Sequence, residues 1–143
     1  MIDKIKPKGL RHIGVVTKRP DKLAEFYIEV IGFEKSFDRD NINVKKITNF
    51  DKVFRVVKVM SENGSEIEFL SPKFESNKKD ISYLDCGITH IALTVVGMDE
   101  IYKKIKERGV KTYKEDIYVD DVGRKVFFCE DPDGNILELV EEP

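Results

Sequence analysis

Apolar and polar positions along this chain follow two rhythms, and the rhythms recur in the same order. Leu10-Arg11-His12-Ile13-Gly14-Val15-Val16 is apolar on both parities, as in a strand covered on both faces. Leu23, Phe26, Tyr27, Val30 and Ile31 then fall at the spacing of one buried helical stripe. The spacing predicts a helix over about 20–31, opened by Pro20-Asp21 and stopped by Gly32. Phe33 to Phe37, Val53 to Met60 and Glu66 to Leu70 follow as strands, the last two joined by an Asn63-Gly64 turn. A polar run carrying Pro72, Lys73, Ser76, Asn77, Lys78, Lys79 and Asp80 reads as a connection, with a short ordered piece at Ile81 to Leu84. The order then restarts. Ile88 to Val95 reads as a strand and Asp99 to Arg108 as a helix with Ile101 and Ile105 inward and Gly109 as its stop. Strands are predicted near Lys111 to Tyr113, Lys125 to Cys129 and Ile136 to Val140.

Fixed offsets make this a duplication. His12 precedes Gly32 by 20 positions and His90 precedes Gly109 by 19, while Gly64 to Glu68 and Gly134 to Glu138 are both 4. From His12 to Glu68 is 56 positions and from His90 to Glu138 is 48, and the surplus falls in the polar stretch 38–52, where a surface loop tolerates length. The expected fold class is therefore α+β, with two pseudo-symmetric βαβββ modules at about 8–71 and 88–142, a linker at about 72–87, and one domain over 1–143.

Composition narrows the partners. With 25 Lys+Arg against 27 Asp+Glu the net charge is −2, which lacks the basic excess that nucleic acid or an anionic membrane surface demands. No apolar run approaches the roughly 18 residues that span a bilayer, and Met1-Ile2-Asp3-Lys4-Ile5-Lys6 lacks the apolar core of a leader, so a cytoplasmic protein is expected. Cys86 and Cys129 stand too far apart for a C-x-x-C motif and read as reduced thiols.

Both histidines of the sequence sit at the same place in their modules, on the opening strand. Glu68 and Glu138 occupy equivalent places on the last strands, inside Ile67-Glu68-Phe69-Leu70 and Ile136-Leu137-Glu138-Leu139-Val140. A carboxylate in so apolar a run is expected to be protonated, paired or bound to a cation. Two imidazoles and two carboxylates form an N2O2 donor set suited to a divalent ion such as Ni, Zn, Co, Mn or Fe(II), so His12, Glu68, His90 and Glu138 are the candidate ligands. A strand histidine alone is more commonly a hydrogen-bonded core residue, and Glu66 on the face of Glu68 fits a solvated surface; the symmetry of the four favours the metal. Asp131-Pro132-Asp133-Gly134-Asn135 reads as a turn, since it lacks the ligand series of a calcium loop.

These residues resemble the vicinal oxygen chelate superfamily, which includes glyoxalase I, methylmalonyl-CoA epimerase, extradiol dioxygenases, fosfomycin-resistance thiol transferases and bleomycin-binding proteins. The likeness rests on His12-Ile13-Gly14-Val15-Val16, Phe26-Tyr27 leading to Gly32-Phe33, Ile67-Glu68-Phe69-Leu70, His90-Ile91-Ala92-Leu93 and Phe127 to Leu139. Thr17, where a branched aliphatic is usual, and Leu23, where a small residue is common, depart from it without touching a ligand position. The resemblance implies a curved mixed sheet forming a cup, with one ligand from the first and last strands of each module. It also implies a metal-dependent, glyoxalase-I-like lyase or isomerase that abstracts a proton beside a carbonyl while a divalent ion holds the enediolate. Glu138 is the first candidate base and Glu68 its counterpart.

A methylmalonyl-CoA-epimerase-like enzyme and a metal-free antibiotic-binding module on the same fold are the alternatives. An extradiol dioxygenase ranks low because both histidines are spent as ligands, and a fosfomycin-type transferase needs only His12, His90 and Glu138. Strand parity puts Gly14, Val16, Leu70, Ala92, Thr94, Ile136 and Val140 on the ligand face, so Val16, Leu70 and Thr94 are expected to line a small-molecule site. Arg124 is a candidate anchor for a substrate anion, as is Arg55, although surface solvation suits both. A homodimer is expected, with each cup built within one chain or across two.

Overall fold

A computed structural model describes residues 7–143; the leader reading of Met1–Lys6 lies outside the described residues. The first module runs β1 (His12–Val16), α1 (Pro20–Phe26), β2 (Glu34–Asn43), a one-turn α2 (Lys45–Thr48), β3 (Val53–Met60) and β4 (Glu66–Pro72). The second runs β5 (His90–Thr94), α3 (Met98–Glu107), β6 (Tyr118–Val119), β7 (Lys125–Glu130) and β8 (Ile136–Glu141). Each module forms its own four-stranded sheet, ordered β1-β4-β3-β2 and β5-β8-β7-β6. In both, the first strand pairs in parallel with the last, and the remaining pairs are antiparallel. The βαβββ repeat is therefore present, as two mixed sheets.

Helix α1 loosens over Tyr27–Ile31 into a π turn, whose end is the left-handed Gly32 at φ 101°. The Tyr27 carbonyl accepts from both Gly32 and Phe33 backbone N–H groups at 3.0 Å, which turns the chain from helix into β2. Helix α3 starts where the Glu141 carboxylate, from the last strand, accepts the Gly97 and Met98 backbone N–H groups. Those bonds draw the Glu141 carboxyl below its ordinary range.

The helices lie between the sheets. Leu23, Phe26, Tyr27 and Val30 of the first module meet Met98, Ile101 and Ile105 of the second in one core, closed by Val57, Val59, Ile67, Phe69, Phe127, Leu137 and Leu139 from the strands. The hairpin turn between β7 and β8 clamps this junction. Asp131, 5% exposed, accepts from the Tyr27 hydroxyl at 3.0 Å, from the Asn135 amide at 2.8 Å, and from the Asp133 and Asn135 backbone N–H groups at 2.9 Å. Asp133 accepts from the Thr17 hydroxyl and from Arg19, so the reading of this segment as a turn holds and is extended by a structural task.

Two strand boundaries differ from expectation. The stretch Lys111 to Tyr113 makes one bridge, Thr112 to Cys129, and β7 takes its outer partner from Tyr118–Val119. Strand β2 runs on to Asn43, through the first part of the stretch read as polar loop. No helix among the described residues is long and apolar enough to cross a membrane.

Cys86 is exposed and Cys129 is fully buried, with burial pushing the Cys129 thiol up to about 12. Ellman's reagent is expected to modify one thiol of the folded protein and the second only in denaturant. Two fast equivalents in native buffer would contradict this packing.

Candidate functional site

Pairing register positions the four candidate ligands. In the first module His12 stands opposite Glu66 and Gly14 opposite Glu68; in the second His90 stands opposite Ile136 and Ala92 opposite Glu138. Alternation along the strands sends Ile13, Val15, Ile67, Phe69, Ile91, Leu93, Leu137 and Leu139 into the core. The same alternation leaves His12, Glu68, His90 and Glu138 on the opposite face of their sheets, with Val16, Leu70, Ala92 and Thr94. Gly and Ala beside the two acids keep the first strand thin there, so each carboxylate can lean toward its histidine.

The histidine–acid contacts form within each module. His90 Nε2 lies 3.2 Å from Glu138 Oε2, and His12 Nε2 lies 4.0 Å from Glu68 Oε1. Donors each about 2.1 Å from one ion at a right angle are about 3 Å apart, so the second module's pair suits shared coordination. Thr89 Oγ1 stands 3.0 Å from His90 Nδ1. It can accept the ring's N–H there and leave the Nε2 lone pair facing Glu138. The Tyr83 ring stacks on His90 at 5.4 Å, and Phe128 meets both rings edge-on.

Convergence stops at pairs. Among the described residues no three His, Cys, Asp or Glu side chains come together as a metal site. The four side chains thus stand as two separate histidine–glutamate pairs, one on each sheet. A groove of about 820 Å³ between the modules is lined by His12, Ala92 and Thr94 together with Arg11, Ser61 and Glu66. It reaches His12 but not Glu68, His90 or Glu138.

The remaining sequence candidates divide. Val16 and Thr94 are exposed and Leu70 half-buried on the ligand-bearing face. Arg124 is engaged by Glu142 at 3.1 Å and Asp120 at 3.4 Å. Arg55 is engaged by Asp21 at 2.7 Å and Asp38 at 3.0 Å. Its guanidinium and Lys35 together hold the Asp38 carboxyl down to about 2. Both arginines hold the fold's own carboxylates.

Three neighbours of the ligands escaped the sequence reading. Lys58 places Nζ 3.1 Å from Glu68, Phe128 stands opposite Glu138, and Tyr83 reaches His90 from the linker. A signal existed for two of them: Lys58 and Phe128 each precede their module's turn glycine, Gly64 and Gly134, by 6 positions.

Comparison with known proteins agrees with this architecture. The family model described as Glyoxalase/Bleomycin resistance protein/Dioxygenase superfamily matches residues 9–139. The uncharacterized protein YwkD of Bacillus subtilis is 26% identical over 138 residues, covering 94% of this chain and 98% of that protein. A glyoxalase family protein from Bacillus cereus superposes with a TM-score of 0.83 at 17% identity, over 99% of both chains. The fosfomycin resistance protein FosX from Listeria monocytogenes, as a glutamate-to-glutamine mutant with Mn(II) and 1S,2S-dihydroxypropylphosphonic acid, gives 0.65 at 19% identity over 94% of this chain and 92% of its own. Repeated modules, strand order and a family match along nearly the whole length lead to one conclusion: the chain belongs to the glyoxalase/bleomycin resistance protein/dioxygenase superfamily.

Proposed function

We propose that this protein is a divalent-metal enzyme of the lyase or isomerase type, which moves a proton on a carbon beside the carbonyl of a small molecule. The observation that carries the reading is the His90–Glu138 pair, 3.2 Å apart on an open sheet face and repeated in the first module as His12–Glu68. Side chains of these two pairs would hold the ion. Bound there, a divalent ion supplies polarisation of a substrate carbonyl and offsets negative charge developing on its oxygen. Within the chain, a carboxylate of Glu68 or Glu138 takes the proton from carbon and returns it to the neighbouring position. Thr89 holds the tautomer of His90, while the Tyr83 ring stacked on the imidazole and Phe128 edge-on to it fix the orientation of the ring.

A homodimer completes the centre in this reading. Among the described residues, strands β1 and β5 are bonded on one side only, to β4 and β8, and they carry His12 and His90. Leu10 and Val96, flanking these strands, are 85% and 90% exposed. A second copy that lays its β5 against this β1 brings its own His90 and Glu138 up to His12 and Glu68, and two such cups close the dimer. Unpaired thiols and the absence of a basic surface excess suit a cytoplasmic enzyme of small-molecule metabolism.

Elemental analysis of protein purified without an affinity tag tests the reading. About one transition-metal ion per chain is expected in the parent, and little in His90→Ala and Glu138→Ala. A parent that refuses added Ni, Zn, Co and Mn overturns it in favour of a metal-free binding module. Turnover assays with hemithioacetals and with acyl-CoA epimers then distinguish the two enolising chemistries.

A further inference from the structure

Residues 73–89 join β4 to β5 without helix or strand, a length that compact domains seldom leave unstructured and that commonly serves as the cover of a binding site. Residues 77–88 are exposed without exception, and among the described residues no backbone hydrogen bond joins 74–88 to either sheet. The segment is tied at one end by Lys78, whose Nζ donates to the Asp133 backbone carbonyl on the β7–β8 turn. Near the other end stands Gly87, at φ 128° with open space where a side chain would be, a swivel just before β5.

Between these points the chain closes on itself. The Asp85 backbone N–H donates to the Ser82 carbonyl at 3.2 Å, and the Ser82 backbone N–H to the Asp85 carboxylate at 2.5 Å. This turn carries Tyr83. Its ring stacks on the His90 imidazole, with centroids 5.4 Å and planes 30° apart, and meets Phe128 edge-on at 5.6 Å. Leu84 and Ile88 are 89% and 88% exposed, so the apolar hold of the turn on the body of the protein rests mainly on that one ring. A preformed turn held by one aromatic contact and one lysine opens at little cost, without disturbing the strands beneath it.

We propose that residues 79–87 form a hinged strap and that Tyr83 is its gate over the second module's pair. Docked, the Tyr83 ring covers one face of the His90 imidazole, whose Nε2 lies 3.2 Å from Glu138. Undocked, that face is open to a small molecule, and both sheets stay intact. The gate concerns access to His90 and holds whether or not the pair takes an ion, so it goes beyond the reading above.

Diethyl pyrocarbonate, which acylates the neutral imidazole, tests the gate on the full chain, because the sequence has two histidines and His12 serves as the internal reference. Modification of each is followed by peptide mass spectrometry in the parent, Tyr83→Ala, Tyr83→Phe and Lys78→Met, at mildly alkaline pH and over a urea series below the unfolding transition. His90 is expected to react about tenfold faster in Tyr83→Ala than in the parent, and within about twofold of the parent in Tyr83→Phe, with His12 unchanged throughout. Lys78→Met, which cuts the tie and keeps the ring, should raise the His90 rate about threefold. In the parent the His90 rate should be nearly flat in urea, since this opening exposes little surface. An unchanged His90 rate in Tyr83→Ala or in Lys78→Met overturns the proposal. So does a parental His90 rate that climbs with urea in step with global unfolding, because the strap then parts only with the fold. Should Tyr83→Ala fail to fold, Lys78→Met and the urea slope of the parent decide.

Discussion

Asp131→Ala is expected to lower stability by about 3 kcal/mol, because it strips the acceptor from one buried and three half-buried donors at once. The Tyr27 hydroxyl, the Asn135 side-chain amide and the Asp133 and Asn135 backbone N–H groups all end on this carboxylate. Tyr27 is fully buried, so no water replaces the lost acceptor there. In a domain of this size the loss corresponds to a melting point lower by about 6–12 °C. Asp131→Asn keeps one accepting oxygen, and the Tyr27 hydroxyl and Asn135 amide can both turn to suit the new donor, so about 1–2 kcal/mol is expected.

The two variants also differ from the parent in pH dependence. Burial pushes the Asp131 carboxyl above its ordinary value, more strongly than its hydrogen bonds pull it down. The folded state therefore binds this proton more readily than the unfolded chain. The contribution of Asp131 falls as pH rises from the unfolded to the folded value, and both substitutions remove that slope. Urea denaturation of parent and variants across mildly acidic pH checks both statements. An Asp131→Ala loss under about 1 kcal/mol would remove the clamp from the account of the junction.

Mixing two dead variants should restore metal binding. Each cup built across two chains takes His12 from one and His90 from the other. His12→Ala and His90→Ala homodimers then hold no intact cup. After exchange of subunits, half of the dimers are mixed and one of the two cups in each is whole, so about a quarter of the parental metal content returns. Cups built within single chains give no recovery at any ratio. Metal analysis after partial denaturation and refolding of the mixture reads the difference, with each variant refolded alone as the baseline.

Much of this architecture was legible in the sequence because duplication makes parity checkable. His12 with Glu68 and His90 with Glu138 occupy matching places on first and last strands, and β pairing carries those offsets into space with the expected face. What escaped has a physical cause in each case. Strand β2 is an exposed edge, held by Arg55 on Asp38 and Lys73 on Asp40, so its side chains show no apolar alternation. The predicted strand at Lys111 to Tyr113 is followed by Lys114-Glu115-Asp116, a charged run that leaves the sheet before β6 resumes it. Parity says which side chains share a face, but not how one sheet sits against the other, so the separation of the four candidate side chains into two pairs had no signature in the sequence. Lys58 was visible as a charge and invisible as a partner, because its significance lies across the strand from Glu68.

The parallel closure of each sheet also sets the order in which the molecule can be completed as it leaves the ribosome. Strand β1 must wait for β4, and the Tyr27 hydroxyl waits for an acceptor 104 residues downstream. A nascent chain stopped before the β7–β8 hairpin holds the first helix with its buried hydroxyl unanswered and the seam between halves open. Both modules must therefore be synthesised through the β7–β8 hairpin before either half acquires its final rigidity, and that hairpin acts as the latch.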